Sequence, residues 1–135
     1  MRCMSIPVAL EELRAAVADT DRAPFLLTVS DDGRPHSVAV DASWHDDELE
    51  LPVGNRSMAN ASARPLVTLL WPARDAGGHT LIVDADVTTA RGTGEDDNVV
   101  RVRPTRAVLH RPAASTTGSA ADASCDADCI PIATT

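Results

Sequence analysis

Six runs of strand-like residues, separated by short turn signals, constrain the fold of this chain more than any other feature of its sequence. Each run is rich in Val, Leu, Ile or Thr, and most of the connections between runs are short. Short connections predict neighbouring antiparallel strands, because a parallel crossover needs a dozen or more residues. The predicted strands are residues 24–30, 35–44, 48–53, 66–71, 79–90 and 99–110.

Two helices are predicted beside these strands. Residues 5–19 predict an amphipathic helix, with Ser5 as its cap and Pro7 in its first turn. The apolar stripe of this helix has helical spacing and consists of Ile6, Leu10, Leu13 and Val17. Residues 56–63 predict a short Ala-rich helix between the third and fourth strands, ended by Pro65. Six antiparallel strands of this length close readily into a small barrel, so the fold class is predicted to be mainly β.

Three strand positions carry further expectations. The turn at residues 31–33 is a hairpin signal, with Gly33 supplying the positive φ that such turns require. Residues 66–71 are apolar almost throughout, which predicts a strand buried on both faces. Pro104 lies in the middle of the last strand and predicts a bulge, a bend or a sheet edge there.

The composition excludes several classes of function. The formal net charge is −8, which argues against nucleic acid and anionic membrane surfaces as partners. All 12 basic residues are Arg, so a Schiff-base lysine and a P-loop lysine are excluded. The first residues have no continuous apolar core and no run reaches the length of a membrane span. We therefore expect a cytoplasmic protein, and the Arg-rich, Lys-free composition is typical of a high-GC genome.

The segment 51–65 is the best candidate for a binding site on local grounds. A strand ends there, the chain turns at Gly54 and Asn55, and a helix begins with Arg56 and Ser57. The start of a helix leaves backbone N–H groups unpaired, and a guanidinium beside them favours a phosphate or a carboxylate. The sequence therefore predicts an anion site at this junction.

Other chemistry-bearing residues form no recognisable catalytic or metal constellation. The four His residues are scattered along the chain, and no Ser lies in a nucleophile-elbow pattern. Residues 113–135 predict a mobile tail, poor in apolar anchors, that contains Cys125 and Cys129. Two interpretations of this Cys pair stay open: incidental thiols in an acidic tail, or a redox or metal-binding pair completed by a second subunit. No metal site and no catalytic side chain are predicted.

The order of elements resembles the pyridoxamine 5'-phosphate oxidase-like, FMN-binding split β-barrel family. This family includes the flavin/deazaflavin oxidoreductases of actinobacteria. The resemblance rests on the first hairpin with its Asp-Gly-Arg-Pro turn at residues 32–35, on the polar segment 51–65 and on the strand LVTLLW that follows. The resemblance covers roughly residues 10–112. We therefore predict one cofactor-binding domain that spans residues 1–112. The resemblance implies a six-stranded antiparallel split β-barrel and a homodimer with a flavin-type cofactor in a groove at the dimer interface.

The resemblance also implies which residues bind the cofactor. The matching segment in the family holds the cofactor phosphate, and the flanking strands lie along its ring. By this correspondence the phosphate-side residues are Asn55, Arg56, Ser57 and Asn60, and the ring-side residues are Ser37, Val38, Pro52 and Val53. The family pattern carries an Arg and a Lys separated by one residue, where this chain has Asn55 and Ser57 flanking Arg56.

The implied activity is that of a flavin- or deazaflavin-dependent oxidoreductase, which transfers hydride between its cofactor and a small organic substrate. The cofactor is FMN or the deazaflavin coenzyme F-420. With one cation where the family has two, either Arg56 takes the whole role, or Arg101, Arg103 or Arg106 completes the site, or FMN binds poorly. The alternative is a non-catalytic module that binds a cofactor, haem or a lipid-like ligand on the same barrel.

Overall fold

The computed structural model describes residues 5–93 and 96–112, which form one antiparallel sheet of eight strands with two α-helices. A short 3-10 helix, Leu10–Glu12, leads into the first α-helix. The helices are α1 (Leu13–Thr20) and α2 (Asn55–Ala63). The strands are β1 (Ser5–Val8), β2 (Phe25–Val29), β3 (Pro35–Ala39), β4 (Ser43–His45), β5 (Glu48–Pro52), β6 (Leu66–Trp71), β7 (Thr80–Arg91) and β8 (Val99–His110).

Seven of the strands follow one another in the order β3-β2-β6-β7-β8-β5-β4, and β1 pairs with β8. Strand β8 pairs with three other strands: with β7 along its length, with β5 at residues 99–102 and with β1 at residues 107–110. The mainly β, antiparallel prediction is confirmed. The strand count of six is wrong, because the sheet has eight strands, and its hydrogen bonding does not close into a complete ring.

One extra strand arises because the predicted strand 35–44 is divided between the two ends of the sheet. Strand β3 pairs with β2 at one end, and β4 pairs with β5 at the other. Only residues 40–42 join them, so Ala39 and Ser43 lie at most about 14 Å apart. A flat row of seven strands would be about 29 Å wide. The sheet must therefore curl until its two ends approach, which is the geometry of a split barrel.

The other extra strand replaces the first part of the predicted N-terminal helix. Residues Ser5 to Val8 pair with His110 to Ala107 of β8, so Ser5 is not a helix cap and Pro7 is not in a helix. Pro7 is tolerated because β1 pairs on one side only, and an edge strand can lack an N–H. Of the apolar stripe predicted for this helix, Leu13 is buried in α1, whereas Ile6 and Leu10 lie outside α1 and are exposed.

The Pro104 prediction is confirmed as a bulge. Asp84 of β7 lies opposite Arg106 and Ala85 lies opposite Pro104, which leaves Thr105 as the extra residue of β8. Pro104 also falls between the segments of β8 that pair with β5 and with β1. A residue without an N–H is therefore placed where the ladder is already interrupted.

The core lies on the concave side of the sheet and is closed by α1 and α2. It is formed by the alternate residues of the strands, because successive side chains of a strand point to opposite faces. Its fully buried members include Leu26, Leu49, Leu51, Leu69, Trp71, Leu81, Val83, Val100 and Val102.

The sequence predicted that strand β6 is buried on both faces. In the structure only one face of β6 is buried. Val67, Leu69 and Trp71 are buried, whereas Leu66 is 73% exposed. The outer side chains of β6 continue those of β2 across the β2–β6 pairing. They form a surface, the outward apolar face, made of Phe25, Leu27, Val29, Leu66 and Leu70.

Two further expectations concern the C-terminal tail and membrane-spanning helices. The predicted tail 113–135, with Cys125 and Cys129, is outside them. Among the residues the structure describes, neither helix combines the length and the apolar content of a transmembrane span.

Candidate functional site

The first turn of α2 presents backbone N–H groups without partners. The helix begins directly after β5, with Gly54 as its N-cap, and Gly54 has no side chain to accept their hydrogen bonds. The first amide that the helix satisfies is that of Met58, which donates to Gly54 O at 3.0 Å. Within the described residues, the N–H groups of Asn55, Arg56 and Ser57 therefore stay available. Such a turn favours an anion.

Arg56 extends this positive end of α2. Its side chain is exposed and forms no ion pair with any residue that the structure describes. Its charge acts on the β2–β3 turn, where Asp32 lies. The Ser30 hydroxyl, then the Arg34 backbone N–H and, more weakly, the Arg56 guanidinium hold the pKa of Asp32 below its ordinary value of 3.8. Arg56 is therefore an unengaged cation between α2 and that turn.

Asn98, which the sequence did not single out, fixes the start of α2 from the side of β8. Its Nδ2 donates to Asn55 Oδ1 at 2.8 Å, and its backbone O accepts from the Val53 N–H at 3.0 Å. Asn98 is 1% exposed, whereas Asn55 is exposed, so the bond between their side chains runs from the protein interior to its surface. It follows a Gly-rich acidic loop in the sequence, a context that does not distinguish a buried Asn from a turn residue.

Two of the predicted phosphate-side residues face inward. Asn60 is 5% exposed, and its Nδ2 donates to Thr28 Oγ1 of β2 at 3.0 Å. Ser57 is 2% exposed. These side chains hold α2 against the sheet, whereas Asn55 and Arg56 are on its exposed side. The part of Ser57 and Asn60 in binding a cofactor stays a prediction.

Arg64 anchors the C-terminal end of α2 to the hairpin formed by β2 and β3. Its Nε donates to Val29 O at 2.7 Å, and its Nη2 lies 2.6 Å from Asp31 Oδ1. Together with the Asn60–Thr28 bond, this contact sets the angle of α2 on β2. The direction in which the first turn of α2 points is therefore determined at both ends of the helix.

The ring-side residues are divided between two faces. Ser37 is exposed on the outer side of β3, opposite Leu27 of the outward apolar face, whereas its neighbour Val38 is half-buried against the core. Pro52 is exposed at the end of β5, and Val53 is half-buried. The structure thus brings Pro52 and Val53 beside the first turn of α2. It places Ser37 and Val38 on opposite sides of β3.

The three Arg residues considered as a second cation are already paired with carboxylates. Arg101 Nη2 lies 2.8 Å from Glu50 Oε1, and Arg103 Nη2 lies 2.8 Å from Glu48 Oε2. Arg106 Nη1 lies 3.2 Å from Asp84 Oδ2. Their charge is therefore compensated locally.

Two cavities formed by the described residues lie away from the predicted phosphate-side and ring-side residues. One, of about 350 Å³, lies between α1 and the β4–β5 turn, where Arg14 stacks on Trp44 with 4.5 Å from guanidinium carbon to ring centroid. The other, of about 270 Å³, lies beside the β6–β7 loop. The described residues include no group of three or more His, Cys, Asp or Glu side chains placed to hold a metal ion.

Solved structures with the same fold come from several cofactor-binding proteins. An FMN-binding protein from Syntrophomonas wolfei matches with a TM-score of 0.61 and 12% identity, over 78% of this chain and 88% of that chain. An F420 reductase matches with a TM-score of 0.53 and 20% identity, over 63% and 87%. The heme storage protein HutZ from Vibrio cholerae matches with a TM-score of 0.58 and 14% identity, over 76% and 95%. At these identities the likeness establishes the split-barrel fold.

Relatives by sequence are much closer. No protein-family model matches the chain. Two uncharacterized proteins, Mb0449c from Mycobacterium bovis and MT0457 from Mycobacterium tuberculosis, are each 39% identical to it over 91% of this chain and 93% of their own length. The chain therefore belongs to the same family as these two mycobacterial proteins, and it has the split-barrel fold of the pyridoxamine 5'-phosphate oxidase-like proteins.

Proposed function

We propose that this protein binds a flavin-type cofactor, FMN or the deazaflavin coenzyme F-420, with the anionic end of the cofactor at the first turn of α2. The observation that carries the proposal is the combination of open N–H groups after Gly54 with the exposed guanidinium of Arg56, which forms no ion pair within the described part of the chain. The donors fit a phosphate, because backbone amides at a helix start and a planar guanidinium both favour oxyanions.

The cofactor would supply the hydride chemistry, so the protein needs no catalytic acid or base of its own. In this proposal the protein is an oxidoreductase that transfers hydride between the bound cofactor and a small organic substrate. Arg56 holds the anionic end, and Pro52 and Val53 provide apolar surface next to it. Ser37 would contact the ring from the outer side of β3, whereas Val38, on the opposite side, would support that strand from the core.

We further propose that the protein acts as a homodimer through the outward apolar face. Leu66 is 73% exposed, Phe25 is 40% exposed and Val29 is 37% exposed, and they lie on two adjacent strands. Contiguous exposed apolar side chains mark interaction surfaces. Ser37 borders this face, so a second copy would cover the outer side of β3 and complete a groove there.

The test is a titration of the purified apo-protein with FMN and, separately, with F-420, followed by the change in cofactor fluorescence. We expect binding of one of them with a micromolar dissociation constant. Hydride transfer is then measured by mixing the reduced complex with a panel of small organic acceptors. A site with a micromolar dissociation constant would be almost saturated at about 100 μM cofactor. If neither cofactor binds at that concentration, the proposal is excluded.

A non-catalytic binding module is the second candidate, and the pairing of Arg101, Arg103 and Arg106 favours it. With these cations compensated, Arg56 alone faces a phosphate, and one charge-assisted contact is worth about 1.5–3 kcal/mol. A haem or lipid-like ligand needs less phosphate affinity. Titration with hemin, followed by absorbance, separates the candidates: tight hemin binding without flavin binding supports the module.

A further inference from the structure

The cavity between α1 and the β4–β5 turn has an apolar floor. Its volume of about 350 Å³ falls within the range of cavities that bind small molecules, about 300–1,000 Å³. Leu13 of α1 and Pro104 of β8 are buried there, and Trp44 of β4 is half-buried against the core. These three side chains are the apolar floor. The body of an apolar ligand that entered the cavity would therefore lose contact with water.

One wall of this cavity already holds a cation, the guanidinium of Arg14. Its carbon lies 4.5 Å from the centroid of the Trp44 ring, and its Nη2 donates to the backbone O of Asp46. A cation above an indole ring is attracted by the negative face of the ring. Arg14 therefore uses an aromatic face and a backbone carbonyl as its partners, and it leaves the neighbouring carboxylates unengaged.

Three exposed carboxylates line the same cavity and form its mouth. They belong to Glu11 of the 3-10 helix and to Asp46 and Asp47 of the β4–β5 turn. None of them forms an ion pair with a residue in the described ranges 5–93 and 96–112. The other Arg of the lining, Arg103, lies 2.8 Å from Glu48 Oε2, so its charge is already compensated. The mouth therefore carries an excess of negative charge above an apolar floor.

We propose that this cavity is a second small-molecule site, which binds an organic cation with an apolar or aromatic body, such as an arylalkylamine. The body of the ligand lies on the apolar floor, and its ammonium group lies among the three carboxylates of the mouth. Each ion pair contributes little because the carboxylates are exposed, so selectivity depends on the three together. The site shares no residue with the proposed cofactor site, and its occupancy does not depend on that proposal.

The experiment compares probes that share one body and differ in charge: 2-phenylethylamine, 2-phenylethanol and 3-phenylpropionate. Each is titrated into the full chain at pH 7, and NMR follows the backbone amides of residues 10–14 and 44–47 and the indole N–H of Trp44. We expect the amine to bind at least about fivefold more tightly than the alcohol, and the carboxylate to bind most weakly. Equal affinity for the three probes, tighter binding of the carboxylate, or no response of these signals to about 10 mM amine would overturn the proposal.

A charge-neutral variant tests the mouth itself. The triple change Glu11→Gln, Asp46→Asn and Asp47→Asn keeps the side-chain shapes, and Asn tolerates the positive φ of 57° at Asp46. Affinity for the amine should fall to within about twofold of that for the alcohol, whose own affinity should not change, because only the ionic contacts are lost.

The matched control removes the same net charge from exposed residues outside the cavity, with the triple change Glu12→Gln, Asp21→Asn and Asp41→Asn. Here the affinity for the amine should change less than about twofold, because the mouth is intact. An equal loss of amine binding in the two triple variants would mean that only the net charge of the protein attracts the amine, and would overturn the proposal. If a variant does not fold, the comparison of the three probes on wild type still decides.

Discussion

The side-chain amide of Asn60 donates to the hydroxyl oxygen of Thr28 at 3.0 Å, and both residues are shut off from solvent. This bond joins the middle of α2 to the middle of β2. It determines how far the helix stands from the hairpin and where its first turn points.

Thr28→Val should destabilise the protein by about 1–3 kcal/mol, because it leaves the buried Asn60 amide without a partner. The substitution keeps the shape of the side chain, so the loss measures the hydrogen bond rather than packing. Urea unfolding gives the free energy. Adding Asn60→Leu should cost less than the sum of the two single changes, and strict additivity would show that the bond is not the relevant interaction.

Arg56→Ala should weaken FMN or F-420 binding by roughly 10- to 150-fold, the range for one charged hydrogen bond of about 1.5–3 kcal/mol. Fluorescence titration measures the dissociation constant. Stability should stay close to wild type, because the side chain is exposed. The matched control is Arg22→Ala, another exposed Arg, located after α1. Equal affinity for wild type and Arg56→Ala would place the anion elsewhere.

Gly92→Ala should destabilise the protein by about 1–3 kcal/mol, the usual cost of forcing a side chain into a strained backbone region. Gly92 has a φ of +156°, and a Cβ there would collide with Asn98. Thermal unfolding measures the change. Gly54→Ala is the control, because φ is negative at Gly54 and a Cβ there meets no atom within 4 Å. A similar loss in both variants would contradict the close contact between Gly92 and Asn98.

Glu50→Gln should lower the free energy of unfolding at pH 7 more than at low pH. The hydrogen bond from Arg101, and the nearby charges of His45, Arg101 and Arg91, hold the pKa of Glu50 below its ordinary value of 4.5, against a smaller effect of burial. A lowered pKa means that the carboxylate stabilises the fold above pH 4.5 and that this contribution disappears as the pH falls through the folded-state value. Urea unfolding between pH 7 and about pH 3 measures it.

In that series the gap between wild type and Glu50→Gln should narrow as the pH falls. Glu11→Gln is the control, since the exposed Glu11 has no ion pair among the described residues. A gap that stays constant with pH would mean that Arg101 does not act on the ionised carboxylate.

Leu66→Ser should convert the proposed dimer to a monomer, because it introduces a hydroxyl at the most exposed apolar side chain of the outward apolar face. Sedimentation velocity at micromolar concentration measures the mass. Leu10→Ser is the control: Leu10 is 46% exposed but lies in the 3-10 helix, away from that face. A wild-type monomer under these conditions would contradict the dimer.

The sequence predicted those features that depend on a few neighbouring residues. The hairpin at Gly33, the helix between β5 and β6 and the interruption at Pro104 each follow from local backbone preferences. The predicted bounds of β6 and β8 agree with the structure for the same reason. The open start of α2 was also predicted, because the turn at Gly54 and Asn55 leads directly into a helix that begins with Arg56 and Ser57.

Other features depend on partners far away in the chain, and no local pattern reveals them. Residues 5–8 form a strand because the far end of β8 offers an unpaired edge, although their own spacing also suits a helix. In the sequence, Asn60 within the predicted helix and Asn98 after the acidic loop carry no local sign that they are buried. Only the fold buries them and gives them Thr28 and Asn55 as partners.

The sequence by itself determined that this chain forms an antiparallel β protein with an anion-favouring helix start, because strand propensity, turn chemistry and helix capping act over a few residues. Tertiary structure alone decided that residues 35–45 serve both ends of the sheet and that carboxylates compensate Arg101, Arg103 and Arg106. It also decided that no carboxylate within residues 5–93 and 96–112 forms an ion pair with Arg56. The physical reason is that strand pairing and charge pairing depend on which distant residues the curled sheet brings together.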